Sequence, residues 1–362
     1  MKIFLLADAQ SPHTLRWVEA LTHKGHEIHL ASFNQLKPET APTTMHFYKL
    51  PTFGIGKISY LLNIFKIKKL CQNIQPDVIH AHHITSYGFL GALSGFHPFV
   101  ITGWGTDLLI SSDKSIILKF FNKYAIEKAD YVTTVAEHMN KKALELTHKK
   151  IKILALPFGI DIKIFRPTQT KSSLKNQTIT IISTRNFAPI YDIETLIQAF
   201  ALCCQKHQHI RLQLIGSGPL LESLQQLSST LNLTDKISFI GKVPHKKLPD
   251  YLSQADIFVS SSLSDGNNIS LNEAMACGLY PIATAIPANQ QWIEHQKNGL
   301  LYSPANLEDL ASQINYALIH PEQRQLCLEA NIQLVQQKAS WDNCVTQTIE
   351  IYQLLITKNS NS

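Results

Sequence analysis

A chain of 362 residues, 44% of them hydrophobic, is long enough for about two domains with real cores. Lys and Arg outnumber Asp and Glu by 33 to 27, a formal net charge of +6. That excess is too thin for a dedicated nucleic-acid binder, so no nucleic-acid partner is expected; it suits an anionic ligand or an acidic membrane surface.

Lys2–Ala7 is a short apolar run ending at Asp8. It is too short for a signal sequence with a cleavage site and reads as a first strand. Ser11–Ala20 carries helical spacing (Leu15, Trp17, Val18, then Leu21), Gly25 closes it, and Ile28–Ala31 is the next strand. Strand–helix–strand at this pace predicts a right-handed βαβ unit and a parallel sheet. The loop Asp8–Thr14 then falls at the carboxyl end of strand one, where open α/β sheets bind ligands. His13 and Arg16 are its polar candidates; a solvated loop histidine is the plainer reading.

The stretch Ala41–Pro76 contains no Asp or Glu but five lysines. Within it, segment 57–70 places Ile58, Leu61, Leu62 and Phe65 at i, i+3, i+4, i+7. This reads either as a basic amphipathic helix for an anionic membrane surface or as a core-facing helix with a lysine rim. No apolar run reaches the length needed to span a membrane. Asp77–Ala81 is a strand running into His82-His83. No Cys, Asp or Glu with ligand spacing accompanies that pair, so no metal is assigned to it. Phe99–Thr102 is a further strand, ending in Gly103-Trp104-Gly105-Thr106-Asp107, where two glycines allow close backbone approach. Trp104 is read as a platform for a sugar face or as a packed aromatic turn. Ala129–Val135 and Ile151–Leu156 are strands, and Pro157-Phe158-Gly159-Ile160-Asp161 follows. Residues 168–177 (TQTKSSLKNQ) are small and polar, a natural linker.

The second half repeats the alternation. Ile179–Ser183 is a strand leading to Arg185, and Glu194–Cys204 is a helix. Asp192-Ile193-Glu194 imitates a metal-binding acidic pair but reads as an acidic helix N-terminus. Arg211–Ile215 runs into Gly216-Ser217-Gly218-Pro219, and Ile237–Ile240 into Gly241. Asp256–Ser262 is a buried strand, Asp265-Gly266-Asn267-Asn268 a turn, and Ile269–Cys277 a helix capped by Gly278. Backbone N–H groups and a helix dipole gathered there favour an anion such as a phosphate. A solvated surface turn gives the same local pattern. Tyr280–Thr284 is a strand; Leu307–Ala317, Pro321–Gln337 and Trp341–Ile356 are helices. Six cysteines without a CxxC or Cys/His spacing indicate a reducing compartment.

Asp265, seven residues, then Glu273 and Ala-Met-Ala-Cys-Gly resemble the acid-x7-Glu signature of retaining GT-B glycosyltransferases of family 4. Gly-Ser-Gly-Pro at 216–219, Arg185 and Pro157–Asp161 resemble further segments of that family. Asp265 stands where the family usually has Glu, Tyr191 where it has Lys, and Trp104 where it has His. The resemblance covers nearly the whole chain and is tightest in its second half. It implies an α/β fold of the GT-B kind: two Rossmann-like domains facing across a cleft, with a C-terminal helix crossing back. The expected boundaries are 1–168 plus the returning helix 341–358 for an acceptor-binding domain, and 176–340 for a nucleotide-sugar-binding domain.

The same resemblance implies site roles. Asp265 would contact sugar hydroxyls, Glu273 the ribose and Arg185 the diphosphate. Gly216, Gly218, Gly241 and the backbone of Gly266, Asn267, Asn268, Ile269 and Ser270 would hold the nucleotide-sugar. His13, His82, Trp104, Asp107 and Gly159 would line the acceptor side. The donor acts as co-substrate, with no cofactor and no metal. Lipid-linked or cell-surface oligosaccharide acceptors are implied, in a protein that is cytoplasmic or peripheral on the inner membrane face. A catalytically silent nucleotide-sugar-binding or scaffolding subunit is the alternative, and a nucleotide-sugar epimerase the third reading.

Overall fold

The computed structural model describes residues 1–37, 45–52, 62–109, 115–167 and 178–360. The chain divides into two units, Met1–Pro157 with Asp342–Ser362, and Phe158–Trp341. The first boundary falls at 157, not at 168. Ile160 explains why: its N–H donates to Ala339 O and its carbonyl accepts from Trp341 N (both 2.8 Å), while Phe165 is buried in the core of the second unit. The polar stretch 168–177 looked like the natural break but follows a segment already committed to that core; it lies outside the described residues.

The first unit is built on seven parallel strands: β1 (Lys2–Leu6), β2 (Glu27–Ser32), β3 (Met45–Lys49), β4 (Val78–His82), β5 (Phe99–Gly103), β6 (Tyr131–Thr134) and β7 (Ile153–Ala155). Their order is β3-β2-β1-β4-β5-β6-β7. The second unit has β8 (Ile179–Ser183), β9 (Ile210–Ile215), β10 (Ile237–Gly241), β11 (Ile257–Ser260), β12 (Tyr280–Thr284) and β13 (Leu300–Tyr302), in the order β10-β9-β8-β11-β12-β13, again all parallel. Helices cover both faces of such sheets, so the central strands read as continuous apolar runs: Ile3 to Leu6 and Ile257 to Val259 are fully buried. Strand order reverses between β1 and β4 and between β8 and β11. Loops diverge at those points, opening a crevice at the carboxyl ends of the strands.

Two elements depart from the sequence reading. β3 was not foreseen; Met-His-Phe-Tyr-Lys pairs in parallel with β2 and forms the sheet edge. The basic helix is described from Ile64 to Ile74, and residues 57–61 lie outside the described residues. Its buried face is Ile67, Cys71 and Ile74, whereas Leu62 and Phe65 are 51% and 82% exposed. Leu62 and Phe65, taken from the spacing as part of the apolar face, are therefore not on the packed face, which meets the helix Phe89–Ser94. No helix among the described residues is long and apolar enough to cross a membrane. All six cysteines are free.

The C-terminal helix Trp341–Ser360 is tied to the first sheet by Tyr352, whose hydroxyl lies 2.5 Å from His80 Nδ1; His80 Nε2 lies 2.6 Å from Thr102 Oγ1. Burial pushes the His80 pKa down to about 3. In the unfolded chain this imidazole takes a proton near pH 6.5, so the folded state loses stability progressively as pH falls from about 6.5 toward 3. The slope is up to about 1.4 kcal/mol per pH unit. We expect the melting temperature to fall steeply over that window, and His80→Gln to flatten the dependence.

Candidate functional site: the second-unit switch point

The loops after β8 and β11 meet at the strand-order reversal. Arg185, two residues past β8, is 8% exposed. Its Nη1 donates to Asn268 Oδ1 (3.0 Å) and its Nη2 to Asp265 Oδ2 (2.5 Å). The guanidinium lies 4.4 Å over the Tyr191 ring. Tyr191 thus replaces the family's lysine with a stacking surface, which fixes the guanidinium plane. The Nε–H of Arg185 has no hydrogen-bond partner among the described residues, so donor capacity remains beyond the pair with Asp265.

Asn268 is the hub of this loop. It is fully buried and caps the helix Ile269–Ala276, its Oδ1 accepting from Leu271 N (3.2 Å). Its Nδ2 donates to Ser260 Oγ and Asn289 Oδ1 (both 2.9 Å). One amide therefore couples β11, the helix start, Arg185 and the helix Pro287–Gln290. Asn267 is also buried, and neither its amide oxygen nor its nitrogen has a partner among the described residues. Buried amides in native proteins are nearly always paired, so these atoms are open to a water or to a ligand group. Of the five backbone amides expected to meet the donor, Asn267 N is taken by Asp265 Oδ1 and Ile269 N by Asn267 O.

Glu273, inside that helix, is 4% exposed, and its Oε1 lies 2.6 Å from His245 Nε2. His245 follows β10 and Gly241, and its ring packs 5.0 Å from Phe165. The sequence reading missed His245, because 28 residues separate it from Glu273 and no local spacing links them. Gly241 has φ +79°, at a register shift in β10, and its carbonyl accepts from Gly216 N. Gly216 and Gly218 serve the backbone first. A Cβ on either would stand 2.3 Å from a carbonyl oxygen, that of Arg185 or of Phe187. Gly216→Ala should therefore lower second-unit stability by about 1–3 kcal/mol or more and weaken donor binding by shifting Arg185, read by thermal melting with and without nucleotide.

In the first unit, the switch point between β1 and β4 gathers three of the expected acceptor-side residues. The His82 ring sits 5.0 Å from the Trp104 ring, and the His13 ring lies 5.8 Å from it. Burial, then the charges of His80 and His13, holds the His82 pKa well below the usual imidazole value. Two of the expected acceptor-side residues have structural duties. Asp107 is fully buried, and its carboxylate accepts from the backbone N–H of Ile84, Trp104, Gly105 and Leu108, so it braces the turn from inside. Gly159 belongs to the second unit, where a Cβ would stand 2.6 Å from Trp341 Cα, so the backbones cross closely there. Asp192 and Glu194 flank the start of the helix Ile193–Cys204, as read.

Residues 165–333 match the family "Glycosyl transferases group 1" and residues 2–136 match "Glycosyl transferase 4-like". The chain belongs to the group 1 glycosyltransferases. It is 23% identical to N-acetyl-alpha-D-glucosaminyl L-malate synthase of Bacillus anthracis, over 94% of this chain and 92% of that protein. It is 22% identical to the phosphatidylinositol N-acetylglucosaminyltransferase gpi3 subunit of Schizosaccharomyces pombe, over 86% of this chain and 70% of that one. Among solved structures, sucrose-phosphate synthase of Thermosynechococcus elongatus superposes with a TM-score of 0.82 at 19% identity, covering 99% and 100% of the two chains. Anabaena HepE in complex with UDP gives 0.80 at 17%, covering 98% and 100%. At these identities the structures speak for fold alone: two Rossmann-like units, as in GT-B glycosyltransferases. For a group 1 glycosyltransferase, the residues that the second-unit sheet brings together are Arg185, Asp265, Asn267, Asn268 and Glu273.

Proposed function

We propose that this glycosyltransferase transfers a sugar, with retention at the anomeric carbon and without a metal ion, from a nucleoside-diphosphate sugar to a lipid-linked or cell-surface oligosaccharide acceptor. The observation that carries the reading is the Arg185 guanidinium, stacked on Tyr191 and bonded to the capping Asn268 at the helix start. A fork-shaped cation beside a helix N-terminus suits a diphosphate, and supplies the positive charge that a metal would otherwise bring to the leaving group. Asp265 would hold sugar hydroxyls and Glu273 the ribose. The departing diphosphate itself would take the acceptor proton on the same face, so no protein nucleophile is required. The first unit, with His13, His82 and Trp104, is assigned the acceptor. Two relatives carry N-acetylglucosaminyl in their names and one fold neighbour binds UDP, so UDP-N-acetylhexosamines head the donor panel. The test is thermal shift across nucleotide sugars, followed by donor turnover with EDTA present. Binding without turnover under any acceptor, restored by a partner protein, would favour the silent-subunit reading, which the Arg185–Asp265 ion pair and Tyr191 in the lysine place motivate.

The same proposal extends to a membrane surface. Exposed Leu62 and Phe65 stand beside exposed Lys66, Lys68 and Lys69. Ile116, Ile117 and Phe120 are exposed on the helix Ile116–Lys128, and the helix Phe89–Ser94 packs against both helices. Co-sedimentation with anionic liposomes should weaken when the three lysines become Glu; unchanged binding would remove this part.

A further inference from the structure

The edge of the first sheet carries a cluster that the transfer reaction does not use. Glu27 and His29 alternate along β2 and so share one face. Parallel pairing sets His46 of β3 directly beside His29, with their rings stacked at 4.6 Å. His29 Nε2 lies 2.7 Å from Glu27 Oε1, and His46 Nε2 lies 4.0 Å from the same oxygen. One donor atom from each side chain falls within 4.8 Å of the other two. A second observation is independent of that proximity: Tyr48 OH lies 3.0 Å from His29 Nδ1. A hydrogen bond on the far nitrogen is what orients a ligating imidazole and leaves its other nitrogen for the ion.

We infer that Glu27, His29 and His46 form a binding site for a divalent transition-metal ion, with zinc the best fit. Two imidazoles and a carboxylate are zinc's usual donors, and a tetrahedral ion with bonds of about 2.1 Å needs its ligand atoms about 3.4 Å apart. The observed separations of 2.7 and 4.0 Å bracket that value. His29 is buried and fixed. Glu27 and His46 side chains are 48% and 61% exposed, so they can turn onto the ion at little cost and leave the fourth position to water. The cluster lies at the amino end of β2, away from the loop that carries His13, and it is separate from the proposed metal-free transfer. The ion would pin the edge strand β3 to β2.

Calorimetric titration of the full chain with zinc chloride should give one saturable site per chain. Glu27→Gln and His46→Ala should each weaken it tenfold or more, while the exposed His209→Ala leaves it unchanged. At a hundredfold excess over the wild-type Kd, zinc should raise the melting temperature by about 5 °C in the wild type and by no more than about half of that in His46→Ala. Since His46 and Glu27 are half-exposed, both variants should melt like the wild type without metal. Zinc bound equally by the wild type and both variants, or not bound at all, overturns the inference.

Discussion

Arg185→Ala should lower kcat/KM for transfer by about a thousandfold. Two charge-assisted hydrogen bonds to a diphosphate contribute about 1.5–3 kcal/mol each, and each 1.4 kcal/mol is a factor of ten. The loss should appear in both parameters. The diphosphate is charged in the bound donor, which raises KM, and gains charge as the sugar leaves, which lowers kcat. Removal of Arg185 also leaves the partly buried Asp265 carboxylate without its cation, so the variant should melt several degrees lower. Arg185→Lys separates these effects. It keeps the charge but cannot reach Asn268 and Asp265 with two prongs while stacking on Tyr191, so stability should largely return while activity stays about tenfold to a hundredfold down. Asp265→Asn should move the other way for nucleotide binding: a guanidinium released from its carboxylate holds the diphosphate product more tightly, while transfer slows. Unchanged turnover in Arg185→Ala would remove this residue from the reaction.

Much of this site was legible because strands buried on both faces leave apolar runs, and parallel βα order then dictates which loop ends share a crevice. Ile3 to Leu6 and Ile257 to Val259 announce their strands without any neighbour. What could not be read is pairing across the chain. Arg185 and Asp265 are 80 residues apart and were assigned to different parts of a donor, yet they bond to each other first. Asp107 was expected on the acceptor side by family resemblance; only the fold reveals that its oxygens face four backbone amides. Gly216 and Gly218 were placed beside the nucleotide by family resemblance, and the structure gives them a prior duty of clearing the carbonyls of Arg185 and Phe187. On the basic helix, the exposed Phe65 and buried Ile67 depart from the face taken from spacing, because tertiary packing, here against the helix Phe89–Ser94, selects the stripe and sequence offers more than one.

Glu273→Ala should raise the donor KM by about a hundredfold to a thousandfold and change kcat only a few-fold. The ribose takes no part in bond breaking, so its contacts hold ground state and transition state alike. The carboxylate is preorganised: it is 4% exposed, on a helix, and anchored by His245 at 2.6 Å. Two ribose hydroxyls donating to one carboxylate would contribute about 1.5–3 kcal/mol each. A deoxyribonucleotide donor makes the test decisive. Removing a ribose hydroxyl should weaken wild-type binding about tenfold or more and cost little further in Glu273→Ala, because the partner is already gone. His245→Ala should give a smaller rise in KM, about tenfold, through loss of the carboxylate's orientation. His245→Gln, which still offers an N–H at similar reach, should recover part of it. If the deoxy donor and Glu273→Ala instead add fully, the carboxylate does not touch the ribose, and the Glu273–His245 pair serves only to hold the helix Ile269–Ala276 against the loop after β10.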